Sequence, residues 1–434
     1  MGITSAKVVV SALLLLCILL TLFRPSPLVS VSSGRTCITV AFWGSYEEWK
    51  MWQEIVEGFY RFHPEIQVKL NYIPGNYDDK IRLLLAADSA PDIMLIQDEP
   101  FPAYASYGKF EDLTDRIVNS SCPFDWPHDF WPTAPESFVY NGRIYGLPLW
   151  GGTVLIYYNK KMLRELGVEP PRDDWNMEEF VEKARELTRD LDNDGRFDTY
   201  GFAVPMWVYY LPWTWAFGAR YLNEERTDWA FTDSSAIQAM RFCQDLLYSY
   251  RVSPSPYDMP NTDLNAMFMT GRVGMTVSGP WNSPPLRTAN IEFDVVHMPY
   301  GPTGKRYTRV TWDCLAMFRG CRNKEAAWAF MTYCVSYEAQ AIVGRYVRSV
   351  PALQAAKDAF IDPNNGWNEE KFIESLAYAR YQPISLHWNQ MDQAITPEYE
   401  KLLMNKQSPE EMIKRLADIV RRENIFPLNA KEGT

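Results

Sequence analysis

The sequence predicts an α/β protein of two lobes, and three observations carry that expectation. The chain has 434 residues, more than one ordinary hydrophobic core accommodates. Short apolar runs alternate with amphipathic stretches early in the chain, the pattern of a parallel sheet covered by helices. Hydrophobic residues make up 47% of the chain, enough for two cores and far from the composition of a disordered one.

The elements follow in order. Lys7 precedes an apolar run, Val8 to Phe23, and then "RPSPLVSVSSG", whose small residues suit signal peptidase. Residues 1–33 are therefore read as an export signal cut near Ser32 or Ser33. An uncleaved N-terminal anchor is the alternative, since the run falls just short of a comfortable span. Either way the protein is expected to be exported, to the periplasm or the outer face of the cytoplasmic membrane. Neither Cys17 nor Cys37 has the small-residue context of a lipid acceptor. Cys37 to Trp43 suits a buried strand. From Glu47 to Phe62, Trp49, Trp52, Val56 and Phe59 recur at three- and four-residue spacing, a helix that Pro64 stops. Ile66 to Tyr72 alternates as a strand does, Asp78 to Ala87 reads as a helix, and Asp92 to Ile96 as another buried strand.

In open parallel sheets ligands bind beyond the carboxyl ends of the strands. Those ends are Trp43, Gly44 and Ser45 after the first strand, and Gln97 to Pro100 after the third. One offers an aromatic face, the other an amide and two carboxylates, Asp98 and Glu99. Further on, Asn141-Gly142 marks a hairpin-like turn, and Pro148 to Gly152 is the expected change of lobe. The second lobe then opens with a helix capped by Asn176, with Glu179 three residues on as a capping box. It runs to Arg189. Helices are expected at Ser234 to Tyr250 and Thr262 to Thr270, and the strand "VGMTVSG" precedes Pro280 and Trp281. Strands at Phe293 to His297 and Val310 to Phe318 would return the chain to the first lobe. The last third reads as helical, ending in a helix capped by Ser408 with Pro409 first and Glu411 completing the box. The expected boundaries are 36–148 and 297–335 for lobe 1, and 149–296 and 336–434 for lobe 2.

A formal net charge of -11 leaves no basic excess to neutralise phosphates, which argues against a nucleic-acid partner. The six cysteines after the signal (Cys37, Cys122, Cys243, Cys314, Cys321 and Cys334) match no zinc spacing and read as scattered core residues with room for one bridge. Aromatics are densest from Pro205 to Tyr221, with Trp207, Tyr209, Tyr210, Trp213 and Trp215. Flat rings of this kind stack on the apolar faces of sugars, and Tyr and Trp add a polar handle. A helix in a large core has a similar composition, but the two prolines and the glycine in the stretch weaken that alternative. Trp281 after a Gly-Pro turn, Trp312-Asp313 in a strand, and Trp388 in "SLHWNQ" are further candidates.

Asp190 to Asp198, "DLDNDGRFD", matches the first half of an EF-hand loop. Asp190, Asp192 and Asp194 would be oxygen donors, Arg196 would ligate through its carbonyl, and Asp198 stands at position nine. Position twelve should be a bidentate Glu and is Gly201. Structural Ca2+ is one reading; a helix-to-strand turn that needs no metal is the other.

The segments "APDIMLIQDEPFPAYASYGKFEDLT", "YNGRIYGLPLWGGTVLIYYNKKML", "AMFMTGRVGMTVSGPWN" and "NKEAAWAFMTYCVS" together resemble the extracellular solute-binding proteins of carbohydrate ABC importers, the maltose-binding-protein-like family 1. The resemblance covers essentially the whole mature chain, in order. It implies a type II-like periplasmic-binding-protein fold, two Rossmann-like lobes joined by a multi-crossing hinge. It also implies a monomer that closes on a sugar or oligosaccharide, requires no cofactor, and delivers the ligand to the permease subunits of an ABC importer. Carried over, the first-lobe contacts would be Trp43, Ser45, Asp98 and Glu99, and the hinge-side contacts Trp150, Gly151 and Gly152. Trp281 and Trp388 would be second-lobe platforms, with Trp207, Tyr209 and Trp213 in the aromatic segment. Pro100 and Gly152 stand where some maltose binders carry charged residues, so maltodextrin specificity does not follow. A secreted glycoside hydrolase is the rival reading. It needs two carboxyls flanking one bond, and the adjacent Asp98 and Glu99 are poorly disposed for that.

Overall fold

The computed structural model describes residues 35–119, 122–255, 264–346 and 349–426. The expected signal or anchor, residues 1–33, lies outside them, as does the start of the helix expected from Thr262. The first lobe opens with β1 (Thr36–Phe42), α1 (Tyr46–Tyr60), β2 (Ile66–Tyr72), α2 (Tyr77–Ala86), β3 (Ile93–Gln97) and α3 (Phe101–Ser106). α1 starts at a capping box between Ser45 and Glu48 and buries Met51, Trp52, Ile55, Val56 and Phe59 along one stripe. The hairpin β4 (Val139–Tyr140) and β5 (Arg143–Ile144) turns on Asn141 and Gly142, both at positive φ. β6 (Leu147–Thr153) follows, buried at all seven positions.

The second lobe contains β7 (Leu155–Asn159), α4 (Lys160–Leu166), α5 (Met177–Leu187), β8 (Tyr200–Phe202), α6 (Trp207–Ala216), α7 (Ser234–Tyr248), α8 (Leu264–Met269), β9 (Val273–Ser278), a 3-10 turn (Pro280–Asn282), α9 (Ser283–Thr288) and β10 (Phe293–Val296). The chain continues through β11 (Thr308–Met317), α10 (Lys324–Cys334), α11 (Tyr337–Arg345), β12 (Val350–Pro351), β13 (Ala379–Tyr381), α12 (Trp388–Leu403) and α13 (Pro409–Arg422). Asn176 and Ser408 cap α5 and α13 with complete boxes, as their spacing predicts.

Two sheets organise these elements. The larger runs β12-β6-β11-β3-β1-β2, with β13 also on β11. β1 and β3 are parallel, whereas β11 runs antiparallel to both β3 and β6. The smaller runs β10-β7-β9-β8. Each sheet has its own core. Residues from Ile38 to Trp150 and from Val310 to Ala352 form the first; residues from Val154 to Met298 and from Trp388 to Ile425 form the second. The period of two along β7 splits its faces. Ile156 and Tyr158 join the second core, while Leu155 and Tyr157 meet Val350, Phe360, Trp367 and Phe372 in a smaller cluster on the other side.

Four expectations are corrected. The aromatic stretch is a helix: α6 spans Pro212. An interior proline forfeits one backbone bond and costs about 3 kcal/mol, but eight of the ten residues of α6 are buried, and that burial offsets the cost. β10 belongs to the second sheet, paired with β7, so the return to the first lobe falls between Met298 and Val310 rather than at residue 297. α11 packs on the first core through Ala339, Ile342 and Val343, so lobe 1 continues past residue 335. The six cysteines are all free thiols, four of them buried.

The chain crosses between cores three times: at Thr153 to Leu155, between Met298 and Val310, and between β13 and Trp388. These crossings are stitched together. Val154 N–H donates to Arg309 O (3.1 Å), and the Thr153 and Ser375 hydroxyls are hydrogen-bonded at 2.5 Å. Gly151 and Gly152 are required by close approach. A Cβ on Gly151 would meet Thr311 O at 2.3 Å, and one on Gly152 would meet Pro280 Cγ at 2.7 Å.

Candidate ligand-binding cleft

The larger sheet explains where a site can form. β11 offers one edge to two strands: its residues 313–317 pair with β3, and its residues 308–310 with β13. The carboxyl ends of β3 and β13 therefore meet head on, and Asp98 and Gln382 occupy the join. Asp98 is completely buried. It accepts from Thr311 Oγ1 (2.9 Å), Gln382 Nε2 (3.0 Å) and the Trp312 N–H (3.1 Å). Burial first, then the neighbouring Glu99 carboxylate, pushes its pKa well above the usual carboxylate range. Asp98 thus ties the hinge strands and has no oxygen facing the open cleft.

Glu99 does the opposite. It lies at the first-lobe rim, 3.5 Å from Arg309 Nη2. Arg309, on β11, is 5% exposed, and its guanidinium also sits 5.0 Å from the centre of the Tyr209 ring in the second lobe. One buried guanidinium therefore touches both lobes at the cleft floor. Its Nε, and Oε1 of Gln382, have no partner among the described residues. From Tyr209 the site continues to Trp281, whose ring lies edge-on at 6.4 Å. Trp281 in turn lines a cavity of about 540 Å³ with Ser45, Tyr46 and Glu47 of the first lobe. Asp78, at the start of α2, is open to solvent, yet surrounding protein, the Glu99 charge and Asp79 raise its carboxyl to about 6 against the opposing pull of Arg82.

The other expected contacts lie as follows. Trp43 is half-buried, its ring 4.9 Å from that of Tyr77. The Ser45 side chain is engaged in capping α1. Trp150 and Trp312 are buried in the first core. Trp150 Nε1 donates to Asp313 Oδ2 (2.7 Å), and Trp312 Nε1 to Thr133 Oγ1 (2.9 Å). Trp213 is enclosed in the second core, stacked on Tyr210 at 5.4 Å and tilted against Phe202. Trp207 and Trp388 pair at 5.6 Å, and Trp207 Nε1 donates to Asp392 and Thr396. The structure thus brings Glu99, Tyr209 and Trp281 together and leaves Trp150 and Trp312 in the first core and Trp207, Trp213 and Trp388 in the second. Sequence reasoning missed Arg309, Gln382, Tyr46 and Asp78. Arg309 carried a signal: it is the one charge between Thr308 and Trp312, in a strand whose ten positions are all buried.

The aspartate loop joins α5 to β8, the edge strand of the second sheet. Carboxylate oxygens of Asp190, Asp192 and Asp194 lie within 4.8 Å of one another. They also accept backbone N–H bonds inside the loop: Asp194 N–H to Asp190 and Asp192, Gly195 N–H to Asp190, Arg196 N–H to Asp194. Asp198 accepts from Leu191 N–H at 2.6 Å. Gly201 cannot give way to the missing Glu, because its Cβ would fall 1.9 Å from the Ala184 carbonyl oxygen.

A second hollow of about 540 Å³ lies between α5 and α7, lined by Val181, Phe217, Phe242 and Tyr250. Its walls come mainly from the second lobe, with Pro302 of the crossing between Met298 and Val310 at one side.

Residues 45–341 match the family model of the bacterial extracellular solute-binding proteins. This chain belongs to that family. It is a binding protein and not an enzyme. A Brucella abortus binding protein is 24% identical over 89% of this chain and 93% of its own length. The maltotriose-binding protein of Pyrococcus abyssi is 25% identical over 68% of this chain and 62% of its own length. Among solved structures, an ABC substrate-binding protein of Listeria monocytogenes in complex with cycloalternan is 25% identical, with a TM-score of 0.82 over 90% of this chain and 99% of that one. The maltose-bound MalE3 of T. maritima shares the two-lobed fold, with a TM-score of 0.72 over 89% of this chain and all of that one at 20% identity. Export of this solute-binding protein fits an extracellular family. No helix among the described residues is long and apolar enough to cross a membrane.

Proposed function

We propose that this solute-binding protein captures a sugar or oligosaccharide between its lobes and hands it to the permease subunits of an ABC importer. It would work as a monomer in the periplasm or at the outer face of the cytoplasmic membrane. The observation that carries the reading is the cleft floor, where Glu99 of one lobe, Arg309 of the hinge and the Tyr209 ring of the other meet beside Trp281. A carboxylate and a guanidinium serve sugar hydroxyls, and the rings serve the C–H faces. Closure removes water, so each polar contact gains strength. Relatives and structural neighbours whose names include maltotriose, maltose and cycloalternan support the same ligand class.

Calorimetric and thermal-shift screening against mono- and oligosaccharides tests it. Ligand at ~100-fold its dissociation constant adds ~2.7 kcal/mol of stability, so a binder raises Tm. A folded protein whose Tm no sugar moves would contradict the proposal, as would turnover of an aryl glycoside.

A further inference from the structure

We infer that His297 is a proton-sensitive clasp on the hinge, which acid opens and which thereby couples pH to sugar capture. The clasp stands on contacts within the chain; its effect on affinity rests on the sugar reading. Two stretches of chain enter the larger sheet side by side. One is the crossing from Met298 to Val310, which leads into β11. The other is the short helix Glu370–Glu374 and the 3-10 turn Ser375–Tyr378, which lead into β13. β11 and β13 are parallel, with Thr308 opposite Ala379. His297 is the last residue before the first stretch, and its ring holds the end of the second. Its Nδ1 lies 2.6 Å from the Tyr378 hydroxyl and its Nε2 2.9 Å from Glu374 Oε2. The residue is 4% exposed, and Trp175 Nε1 of the second lobe donates to its carbonyl oxygen at 2.8 Å.

A neutral ring makes both bonds in only one way. The carboxylate accepts and cannot donate, so Nε2 carries the proton and Nδ1 accepts the Tyr378 O–H. A second proton goes to Nδ1 and displaces that O–H, which loses its buried acceptor. The charged groups facing the pair come from three elements. Glu374 belongs to the short helix. Arg306, in the crossing, lies 4.7 Å from the centre of the Tyr378 ring and 4.9 Å from that of Tyr300. Asp173, before α5, accepts from Arg306 through its carbonyl, and its carboxylate pairs with Lys371 at 2.6 Å. Burial is the largest influence and Arg306 adds to it. Together they outweigh the Glu374 bond and Asp173, and hold the imidazole below its usual 6.5. The stability that this clasp contributes is therefore present above 6.5 and is lost as pH falls through the lowered value. Once it opens, the two stretches move independently. A sugar that closes the lobes must then order them, so affinity falls.

The test begins on the ligand-free full chain. Imidazole 15N spectra should show one of the four histidines protonated at Nε2 at pH 7 and titrating below 6.5, and Tyr378→Phe should move that titration upward. After correction for intrinsic rates, peptides covering 297–306 and 375–381 should exchange about tenfold faster at pH 5 than at pH 7 in the wild type, and equally in His297→Gln. Asp78 titrates in a neighbouring range and is kept in that variant, so the difference between the two proteins isolates His297. Calorimetry with the tightest-binding sugar of the panel should show wild-type affinity falling about fivefold more than that of the variant over the same interval. A proton on Nδ1 at pH 7, a titration at or above 6.5, or the same acid response in His297→Gln overturns the clasp. Loosened crossings with no difference in affinity overturn its coupling to capture. Absence of any sugar binding overturns the proposed function and the coupling, while the ligand-free spectra still decide the clasp.

Discussion

Two aromatic regions of the second lobe differ in density and in burial. α6 carries Trp207, Tyr209, Tyr210, Trp213 and Trp215 in ten residues, and only Tyr209 escapes burial. The turn after β9 carries a single tryptophan, Trp281, which stays half-buried between the cleft floor and the mouth cavity. Aromatics packed at helical spacing have neighbours on every side and become core. Trp281, on a Gly-Pro turn, has the Tyr209 ring edge-on at 6.4 Å and packs only in part against the second core, which leaves it open to the cavity beside it. Density therefore marks the scaffold, and under the proposed function the sparser ring marks the site.

The largest test of that contrast is Trp213→Ala. Removing a fully enclosed indole costs about 3–5 kcal/mol, read as a lower denaturation midpoint at unchanged slope; a loss under about 1 kcal/mol would place Trp213 outside the core. Trp281→Ala should reverse the pattern. Stability changes by about 1 kcal/mol or less, while sugar affinity falls by ~2 kcal/mol, roughly thirtyfold. Equal losses in both quantities would erase the distinction between the regions.

A smaller effect sharpens it on the first-lobe side. The Asp78 carboxyl is raised from 3.8 to about 6, so between those values the folded protein binds more protons than the unfolded one. Stability must fall as pH rises through that window, and the loss is complete above about 6. Asp78→Asn should therefore stabilise the protein at pH 7, with the gain shrinking to nothing below about pH 4. A gain independent of pH would remove Asp78 from the charged rim. The smallest effect belongs to the aspartate loop. Its carboxylates already serve the loop's own N–H groups, so chelation should leave Tm within about 1 °C. A calcium-dependent rise would favour the ion reading over the metal-free turn.

Much of the scaffold was legible in the sequence, because period and capping are local. β2 spans its expected residues, and the boxes at Asn176 and Ser408 are where their spacing puts them. The errors came where tertiary burial overrides local preference, as at Pro212 in α6, or where partner choice is non-local, as with β10 and α11. The site was half legible. Glu99, Tyr209 and Trp281 follow from strand ends and motif order. Gln382 has no local mark, since its role depends on β13 meeting β3 across β11. Asp98 and Glu99 are adjacent in sequence yet divide between hinge and cleft, a split decided by which one reaches Thr311 and which one Arg309.

The central claim is that ligand binds at the floor between the lobes, along Glu99, Arg309, Tyr209 and Trp281. Hydrogen exchange of the full chain, with and without the tightest-binding sugar of the panel, tests it most directly. Added protection should appear in peptides covering 97–101, 206–210, 279–283 and 308–312, while the aspartate loop and the hollow between α5 and α7 stay unchanged. Protection confined to that outer hollow, with none at the four floor segments, would contradict the account.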